Sequence, residues 1–491
     1  MGTRSASALR RLAEADPDRL AACLAAAAVV LYASTLSISL DEIDSVHFAL
    51  GLRDFNIMAH QPHTPGFPVY MLLGKAFQLA TGSDVLGLTL MSAVFGALSV
   101  FILYRLGREM FGSRTGLAAA ALMAVTPLFW LESLKAMTDM TALFFTLLSL
   151  LFLYGHMKNR DDRLLYAGAV IGGISTGVRV HSFFIVLPAL IFALASHSQR
   201  WTVRLKGMGL FLAMIAIWIA AVMLVTGPQN YLSISNGQFN FRVGKPGISL
   251  LGVSLTPNLI VSRLQGFAYY FLLNGYGTNL RSPFLQDFAL FALALFILIL
   301  APKSRRALRD RRTLFIASAL AIYLPVIFVL LPPFNARYLI ILVPVISLMA
   351  VRGIAGSRTG SPVRNAVLIA LALVLIAQSA PLAWEIHTTS SPAALSMEYM
   401  QAHYGRNATY VSGGIITSYV KYYNLSVESY NVLSVPCGQE KSLLDRGRIV
   451  VSNAAAFNCA GVRSVMVANY SRNPKVHYKQ NYIAIYEHSF Q

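Results

Sequence analysis

The chain has 491 residues, of which 56% are hydrophobic and only 12% are charged, and its mean hydropathy is +0.58. A soluble globular protein carries about 25% charged residues, so the composition excludes an ordinary soluble domain and indicates a membrane protein. The formal net charge of +19 would fit a nucleic-acid partner. In a membrane protein, however, the usual cause is Lys and Arg held in cytoplasmic loops, so no nucleic-acid partner is expected.

Apolar runs that can cross a bilayer recur along most of the chain. A helix needs about 20 mostly apolar residues to cross the hydrocarbon core. The sequence therefore predicts an all-α polytopic membrane protein with about eleven transmembrane helices. The predicted spans are 20–38, 85–104, 115–131, 139–155, 164–178, 182–197, 207–226, 285–302, 314–332, 338–351 and 366–384.

Basic residues alternate between the loops that these spans define. If the N-terminus is inside, the inner loops hold 22 of the 40 Lys and Arg residues, whereas the longer outer loops before residue 385 hold nine. One wrong span would invert every later loop, so the bias predicts a cytoplasmic N-terminus and an extracytoplasmic C-terminus. The predicted location is the plasma (inner) membrane. The inner loops are 1–19, 105–114, 156–163, 198–206, 303–313 and 352–365.

Two outer segments, 39–84 and 227–284, are too long to be simple connectors. Loops of this length in a compact protein are usually functional or disordered, and the aromatic residues of the second segment argue against disorder. Within the first segment, the stretch 69–80 is amphipathic enough to lie in the membrane interface. Both segments are therefore predicted to belong to the working part of a transmembrane domain, 1–384.

The tail, 385–491, changes character. A helical stretch near 394–404 precedes short β-type runs, which predicts a small extracytoplasmic α/β domain. In an oxidising compartment Cys437 and Cys459 could form a structural disulfide. The β-type runs are Thr409–Val411, Arg448–Ser452, Arg463–Ala468 and Tyr482–Glu487.

An acidic cluster follows the first span. Asp41, Glu42 and Asp44 place three carboxylates within four positions at a membrane exit. Mutual repulsion and partial desolvation are expected to raise their pKa values, which suits a general base near neutral pH. The alternative is an acidic outer flank without chemistry, since acidic residues are common in loops.

The next outer stretch, His60-Gln61-Pro62-His63-Thr64-Pro65-Gly66-Phe67-Pro68, combines histidines with prolines and a glycine. Prolines stiffen the backbone, and glycine permits the close approach of another group. His60 and His63 could bind a metal or donate hydrogen bonds to a phosphate. The alternative is a turn that leads into the interfacial helix.

Further charged residues lie on the same side, the predicted outer side of the membrane. Lys135 and Asp139 follow the third span, and the simpler interpretation of Asp139 is a helix N-cap. Arg179 and His181 separate two short apolar runs, and Arg337 stands at the entrance of a late span. A deeply placed arginine normally has a partner, although a lone one is more often a snorkelling anchor. Together Lys135, Arg179, His181 and Arg337 could neutralise a phosphate or pyrophosphate.

These motifs resemble those of the GT-C glycosyltransferases, and especially the protein O-mannosyltransferase and lipid A aminoarabinose transferase group (glycosyltransferase family 39-like). Asp44-Ser45-Val46-His47-Phe48 is similar to the D-E-x-H-F element of the mannosyltransferases. His63-Thr64-Pro65-Gly66-Phe67-Pro68 resembles the basic-Pro-Pro motif that begins the first interfacial helix. In layout the resemblance covers residues 20–350.

The resemblance implies an inverting sugar transfer from a polyprenyl- or dolichyl-phosphate donor to a glycan, lipid or protein acceptor at the outer membrane face. Asp44 matches the catalytic base, which deprotonates the acceptor hydroxyl. The Glu that usually follows this base is Ser45 here, whereas Asp41-Glu42 is an intact pair three residues earlier, so Asp41 is a competing candidate. The phosphate is assigned to Arg179, Arg337, Lys135 and His63, and further substrate contacts to Glu42, His60, Asp139 and His181.

This scheme requires no cofactor, and the lipid-phosphate sugar is a co-substrate. The histidines leave a divalent metal open. Two other functions also stay open. A transporter or flippase for a lipid-linked or polar substrate would carry ionisable residues near span midpoints, and a non-catalytic assembly protein would bind partners through its outer domain. The spans are nearly free of charge and the polar residues gather on one side, which favours the enzyme.

Overall fold

The structure, a computed structural model, is helical over most of its length. It describes residues 16–196, 200–244, 248–251, 253–276, 310–356, 360–405, 408–412, 417–425, 428–431, 442, 444, 449–452, 461–476 and 481–490. The helices before the tail are α1 (Pro17–Ala33), α2 (Ile43–Arg53), α3 (Pro68–Thr81), α4 (Asp84–Phe111), α5 (Ser113–Val125), α6 (Pro127–Glu132), α7 (Asp139–Asn159), α8 (Asp162–Val178), α9 (Phe183–Ala195), α10 (Trp201–Thr226), α11 (Pro228–Gly244), α12 (Pro257–Tyr276), α13 (Arg311–Ala321), α14 (Tyr323–Leu330), α15 (Leu342–Ala355) and α16 (Ser361–Thr388).

Ten of the eleven predicted spans overlap these helices, and the span 285–302 lies outside the described residues. Within the described ranges, five helical stretches are long and apolar enough to cross a membrane. The helical class is therefore confirmed, whereas the count of eleven stays a prediction. The five stretches are Asp84–Phe111, Asp139–Asn159, Trp201–Thr226, Arg311–Leu330 and Ser361–His403.

The predicted span 115–131 is interrupted between α5 and α6. Thr126 has extended backbone geometry, with φ −68° and ψ 132°, and Pro127 opens α6. A residue before proline disfavours the helical region, and proline itself suits the first turn of a new helix. The chain therefore bends where hydropathy alone indicated one continuous helix.

Both long outer segments are largely helical. The segment 39–84 contains α2, a 3₁₀ turn at Ile57–Ala59 and α3, which matches the interfacial helix predicted at 69–80. On α3, Leu72 and Leu79 are 73% and 75% exposed, as expected for a helix that lies against lipid. The described part of 227–284 contains α11 and α12.

The tail forms a small mixed sheet with short helices, so the predicted C-terminal α/β unit is confirmed. Its strand order is β2-β1-β3-β5-β4; β1 pairs parallel with β2 and β3, whereas β5 is antiparallel to β3 and β4. The boundary at residue 384 stays a prediction, and α16 continues past it to Thr388. Cys437 and Cys459 lie outside the described residues. The tail elements are α17 (Pro392–His403), β1 (Ala408–Ser412), α18 (Thr417–Tyr422), β2 (Glu428–Asn431), β3 (Ile449–Ser452), β4 (Val462–Ser471) and β5 (Tyr482–Phe490).

The helices α7 and α8 form an antiparallel hairpin that separates two ends of the molecule. Asp139 begins α7 and Arg179 follows α8, so both lie at one end. The turn between Asn159 and Asp162 lies at the other end, about 30 Å away at 1.5 Å per residue. The polar residues singled out from the sequence therefore share one end of the helical bundle.

Close packing of small residues holds α4 against α5. A Cβ atom built on Gly116 would lie 2.6 Å from the Tyr104 carbonyl oxygen and 2.7 Å from the Arg108 amide nitrogen. Neither backbone atom can move aside without distorting α4. Helices inside a membrane associate through such small-residue contacts, because lipid tails are as apolar as leucine.

We expect Gly116→Ala to lower the stability of the full chain in detergent by about 1–3 kcal/mol, the usual cost of overpacking a filled interior. The measurement is the midpoint of thermal unfolding, followed by loss of the monodisperse protein. Gly209→Ala in α10 is the matched control, since nothing lies within 4 Å of a Cβ atom there. Equal midpoints for the two variants would contradict the tight α4–α5 contact.

Candidate active site

The acidic cluster leads directly into α2. Glu42 is the N-cap residue and Asp44 lies in the first helical turn, where a carboxylate interacts favourably with the helix dipole. His47 follows Asp44 by three positions, so both side chains lie on one face of the helix. The helix thus presents a carboxylate and an imidazole side by side.

The guanidinium of Arg337 draws three carboxylates together. Its Nη2 donates to Asp44 Oδ2 at 2.7 Å, and its Nη1 lies 3.0 Å from Glu42 Oε2 and 4.0 Å from Asp139 Oδ2. Arg337 is buried in the short 3₁₀ turn Ala336–Leu339. A buried cation requires such partners, because desolvation of an unpaired charge is very unfavourable. Arg337 is therefore the common neighbour of acidic groups from two different outer segments.

A second arginine completes the group. Arg179 Nη1 donates to Asp139 Oδ1, so this carboxylate binds Arg179 instead of acting only as a helix cap. The Tyr338 ring lies between the two cations, with its centroid 5.4 Å from Arg179 Cζ and 5.6 Å from Arg337 Cζ. Cations at this distance from an aromatic ring are attracted by its quadrupole. Tyr338 therefore helps to keep two like charges in one pocket.

These groups surround a cavity of about 370 Å³, which we call the site cavity. It also includes Arg242 on α11, which the sequence analysis did not single out. The only sequence signal was an isolated cation in the aromatic outer segment. The site cavity is lined by Asp44, Phe48, His63, Phe67, Met137, Thr138, Arg179, His181, Arg242, Arg337 and Tyr338.

The electrostatics of the acidic cluster differ from the prediction. Burial raises the pKa of Asp44, but the charge of protonated His63, together with the charge and hydrogen bond of Arg337, outweighs it, so the pKa lies below its usual range. The prediction of raised pKa values was wrong for Asp44 because it counted neighbouring acids and missed the distant arginine. Burial lowers the pKa of His63 to about 4, so His63 is neutral at pH 7 and adds no positive charge for a phosphate.

Asp41, the competing candidate base, lies outside the site cavity. Its Oδ1 accepts a 2.6 Å hydrogen bond from Arg472 Nη1, and the two side chains are 1% and 2% exposed. The side chain of Asp44 is 27% exposed. Arg472 also donates to the Thr389 carbonyl. Asp41 thus anchors the acidic loop to the tail and is sealed from any substrate.

Lys135, predicted to join the arginines at a phosphate, also has other partners. Its ammonium donates to Glu132 Oε1 at 3.1 Å and to the Val476 carbonyl at 2.8 Å. It lines a second cavity of about 370 Å³ that shares Arg337 with the site cavity. The predicted cationic set therefore divides, with Lys135 on one side of Arg337 and Arg179 on the other.

The two remaining histidines occupy different positions. His181 lines the site cavity, and its ring centroid lies 5.9 Å from that of Tyr338. His60 is exposed and stacks on His47 with ring centroids 5.8 Å apart. Of the two histidines in the Pro-rich stretch, His63 is the one that reaches the cavity.

One group of side chains has metal-binding character. Among the described residues, ligand atoms of Asp44, His47 and His63 all lie within 4.8 Å of one another. Of these, His47 stood out in the sequence only as part of the Asp44–Phe48 motif. A helix can present an acid and a histidine at i and i+3 to one metal ion.

Comparisons with known proteins agree with this architecture. A family model described as dolichyl-phosphate-mannose-protein mannosyltransferase matches residues 61–225. A structure of ArnT from Cupriavidus metallidurans bound to undecaprenyl phosphate aligns with a TM-score of 0.53 and 13% identity, covering 95% of this chain and 97% of that chain. The archaeal oligosaccharyltransferase AglB from Archaeoglobus fulgidus, in complex with an inhibitory peptide and a dolichol-phosphate, aligns with a TM-score of 0.50 and 14% identity over 88% of this chain and 69% of that chain. Comparison with curated protein sequences found no match.

The chain has the GT-C fold. The resemblance drawn from the acidic cluster and the His/Pro-rich stretch is therefore confirmed for the architecture, and the alignment extends beyond residues 20–350 into the tail. In this GT-C chain, the site cavity lies at the end of the bundle where the first outer segment, the α6–α7 loop and the Arg337 turn meet.

We expect Arg472→Met to destabilise the chain by about 3–5 kcal/mol, because it leaves the buried Asp41 carboxylate unpaired. Adding Asp41→Asn should recover part of the loss, and thermal unfolding in detergent measures both effects. Lys158→Met is the control: Lys158 pairs with Glu109, and the two side chains are 49% and 24% exposed, so about 1 kcal/mol or less is expected. A loss no larger for Arg472→Met than for Lys158→Met would rule out the anchoring role.

Proposed function

We propose that this chain is a membrane glycosyltransferase that moves a sugar from a polyprenyl-phosphate donor to an acceptor at the outer membrane face, with inversion at the anomeric carbon. The acceptor is a glycan, lipid or protein that carries a hydroxyl group. The observation that carries the proposal is the site cavity, in which the Asp44 carboxylate lies with the guanidinium groups of Arg179, Arg242 and Arg337. A base beside an anion-binding cluster is what this reaction needs.

Asp44 is the proposed base. It takes the proton of the acceptor hydroxyl while the hydroxyl oxygen forms a bond to the anomeric carbon. The bond from that carbon to the phosphate oxygen breaks, and its electron pair stays on the lipid phosphate. Attack from the face opposite the leaving group gives inversion. Asp41 is the weaker candidate, since Arg472 binds it away from the cavity.

The lipid phosphate is a good leaving group once its charge is stabilised. Guanidinium groups bind phosphate oxygens bidentately, and two or three of them in a partly dry cavity interact more strongly than they would in water. Arg179 and Arg337 are held by carboxylates from one side and line the cavity from the other. His63 and His181 can add neutral hydrogen bonds.

Arg337 can also couple donor binding to activation of the base. In the structure, its contact with Asp44 lowers the pKa of that carboxyl, which makes Asp44 a poor proton acceptor. A phosphate that binds Arg337 competes with Asp44 for the same donors. The pKa of Asp44 then rises, and the carboxylate becomes a better base only when the donor is in place.

An apolar cavity supports a lipid-linked donor. It has a volume of about 420 Å³, is lined by apolar side chains from α4, α7, α13 and α15, and lies deeper in the bundle. Ile341 lines both this cavity and a third polar cavity of about 330 Å³ that contains Arg179 and Arg337. A polyprenyl phosphate needs a polar pocket for its phosphate and an adjoining apolar pocket for its prenyl chain. Bound undecaprenyl phosphate in the ArnT structure and dolichol-phosphate in the AglB structure are consistent with this assignment.

The transporter alternative is less well supported. It needs ionisable groups near the middle of membrane-crossing helices. In the described apolar helices α4, α7, α10, α13, α14 and α16, the charged residues lie near the helix ends, as Asp139 and Lys158 do in α7. The proposed orientation, with a cytoplasmic N-terminus in the plasma membrane, follows from the distribution of basic residues.

We expect Asp44→Asn to reduce sugar transfer by about 10²–10⁴-fold, the usual contribution of a general base. The assay follows release of undecaprenyl phosphate from a panel of labelled undecaprenyl-phosphate sugars in proteoliposomes with a membrane extract as the acceptor source. Asp41→Asn is the comparison, and it should lower the unfolding temperature but retain turnover per folded molecule. Full activity in Asp44→Asn, or loss only in Asp41→Asn, would refute the assignment of the base.

We expect Arg337→Lys to weaken binding of undecaprenyl phosphate about tenfold or more, because a lysine cannot bind phosphate in the same bidentate way. The measurement is the dose-dependent rise in unfolding temperature with added undecaprenyl phosphate in detergent. Arg312→Lys serves as the control, since Arg312 is half exposed and lies on α13 at the opposite end of the bundle. Equal affinity in the two variants would exclude Arg337 from the phosphate site.

A further inference from the structure

We propose that Asp44, His47 and His63 form a binding site for one divalent d-block cation, with Zn²⁺ the best match to their donor set. Two imidazole nitrogens and one carboxylate oxygen are a ligand set of catalytic zinc sites, which keep the fourth position open. All three ligand atoms lie within 4.8 Å of one another. Bonds of 2.0–2.1 Å in a tetrahedral site set ligand atoms about 3.3 Å apart, so binding draws the side chains inward by about an ångström.

Unsatisfied imidazole nitrogens point independently to a ligand. The Nδ1 atoms of His47 and His63 are buried and have no hydrogen-bond partner among the described residues. Buried polar atoms are nearly always satisfied, so two orphaned nitrogens beside one carboxylate require an explanation. A single cation would satisfy both.

The tail supplies an outer contact for the site. His47 Nε2 lies 2.9 Å from Ser418 Oγ on α18. When this nitrogen carries the proton and donates to the hydroxyl, Nδ1 keeps its lone pair for a metal ion. Metal-binding histidines usually have such a partner on their second nitrogen, which fixes both the tautomer and the ring orientation.

The carboxylate has an oxygen left for a metal. Arg337 binds Asp44 Oδ2, whereas Oδ1 is the oxygen 3.9 Å from His63 Nδ1. The nearby charges also permit a cation, because the guanidinium groups of the site cavity are matched by equally many carboxylates. The guanidinium groups are those of Arg179, Arg242 and Arg337, and the carboxylates are those of Glu42, Asp44 and Asp139.

Asp44 and His63 line the site cavity, so a fourth ligand can reach the ion from there. This inference goes beyond the proposed transfer reaction, which needs no metal. Metal binding is measured without donor or acceptor, so its failure would leave the transfer proposal intact. Equally, loss of transfer in Asp44→Asn would not by itself establish a metal.

The test uses the full chain purified in detergent without a polyhistidine tag and stripped with EDTA. After incubation with ZnCl₂ and removal of free metal, we expect about one more equivalent of zinc, by elemental analysis, in the wild type than in His47→Ala/His63→Ala. His60→Ala is the matched control and should keep this zinc, because His60 is exposed and lies outside the ligand group. Ser418→Ala should weaken zinc binding by about 10–100-fold.

A second measurement guards against misfolding of the double variant. Zinc should raise the unfolding temperature of the wild type and of His60→Ala but not that of the double variant, since a ligand that binds only the folded state stabilises it. Substitution by Co²⁺ should give the visible absorption of a low-symmetry site in the same two proteins. Equal zinc content in the wild type and the double variant, or equal loss in His60→Ala, would overturn the proposal.

Discussion

The end of the bundle that contains the site cavity depends on one buried guanidinium. Arg337 holds Glu42 and Asp44 from the first outer segment and lies 4.0 Å from Asp139 at the start of α7. Removing one partner of a buried ion pair typically costs about 3–5 kcal/mol, because the other charge is left without compensation. Arg337 therefore holds separate segments together through acidic groups that would otherwise repel one another. The same arginine lines three neighbouring cavities, so structure and binding share one residue.

In this arrangement the arginines and carboxylates bind one another, and a ligand can replace one partner of a pair. The cations that would receive a phosphate are already bound by carboxylates, and the proposed base is held by one of those cations. A donor must displace these internal contacts, which favours a phosphodiester, because its two non-bridging oxygens share the negative charge and can bind a guanidinium bidentately. The candidate zinc site borders the same carboxylate on its other oxygen. With zinc bound, Arg337 would contact one carboxylate oxygen of Asp44 and the metal ion would contact the other.

Local sequence patterns predicted much of this structure. Hydropathy located ten of the eleven spans on helices, and the β-type runs at Thr409–Val411 and Tyr482–Glu487 lie within strands, since both signals arise from neighbouring residues. The grouping of Asp44, His63, Arg179 and Arg337 was also anticipated, because a shared membrane side restricts where these residues can meet. What could not be predicted depends on distant partners. Asp41 and Arg472 are 431 positions apart, and the lowered pKa of Asp44 reflects an arginine 293 positions away.

The anchoring of the acidic loop by Arg472 has a consequence for biosynthesis. Residues 39–44 leave the ribosome early, but their buried partner is made 431 residues later. Until the tail has been made, Asp41 lacks its counter-charge and the Lys135 ammonium lacks the Val476 carbonyl. Contacts of such long sequence separation form last, because closing the loop between them is entropically costly. The nascent protein would therefore remain incompletely assembled at the site cavity until the tail has been made, and truncation of the tail would be sensed as a folding defect.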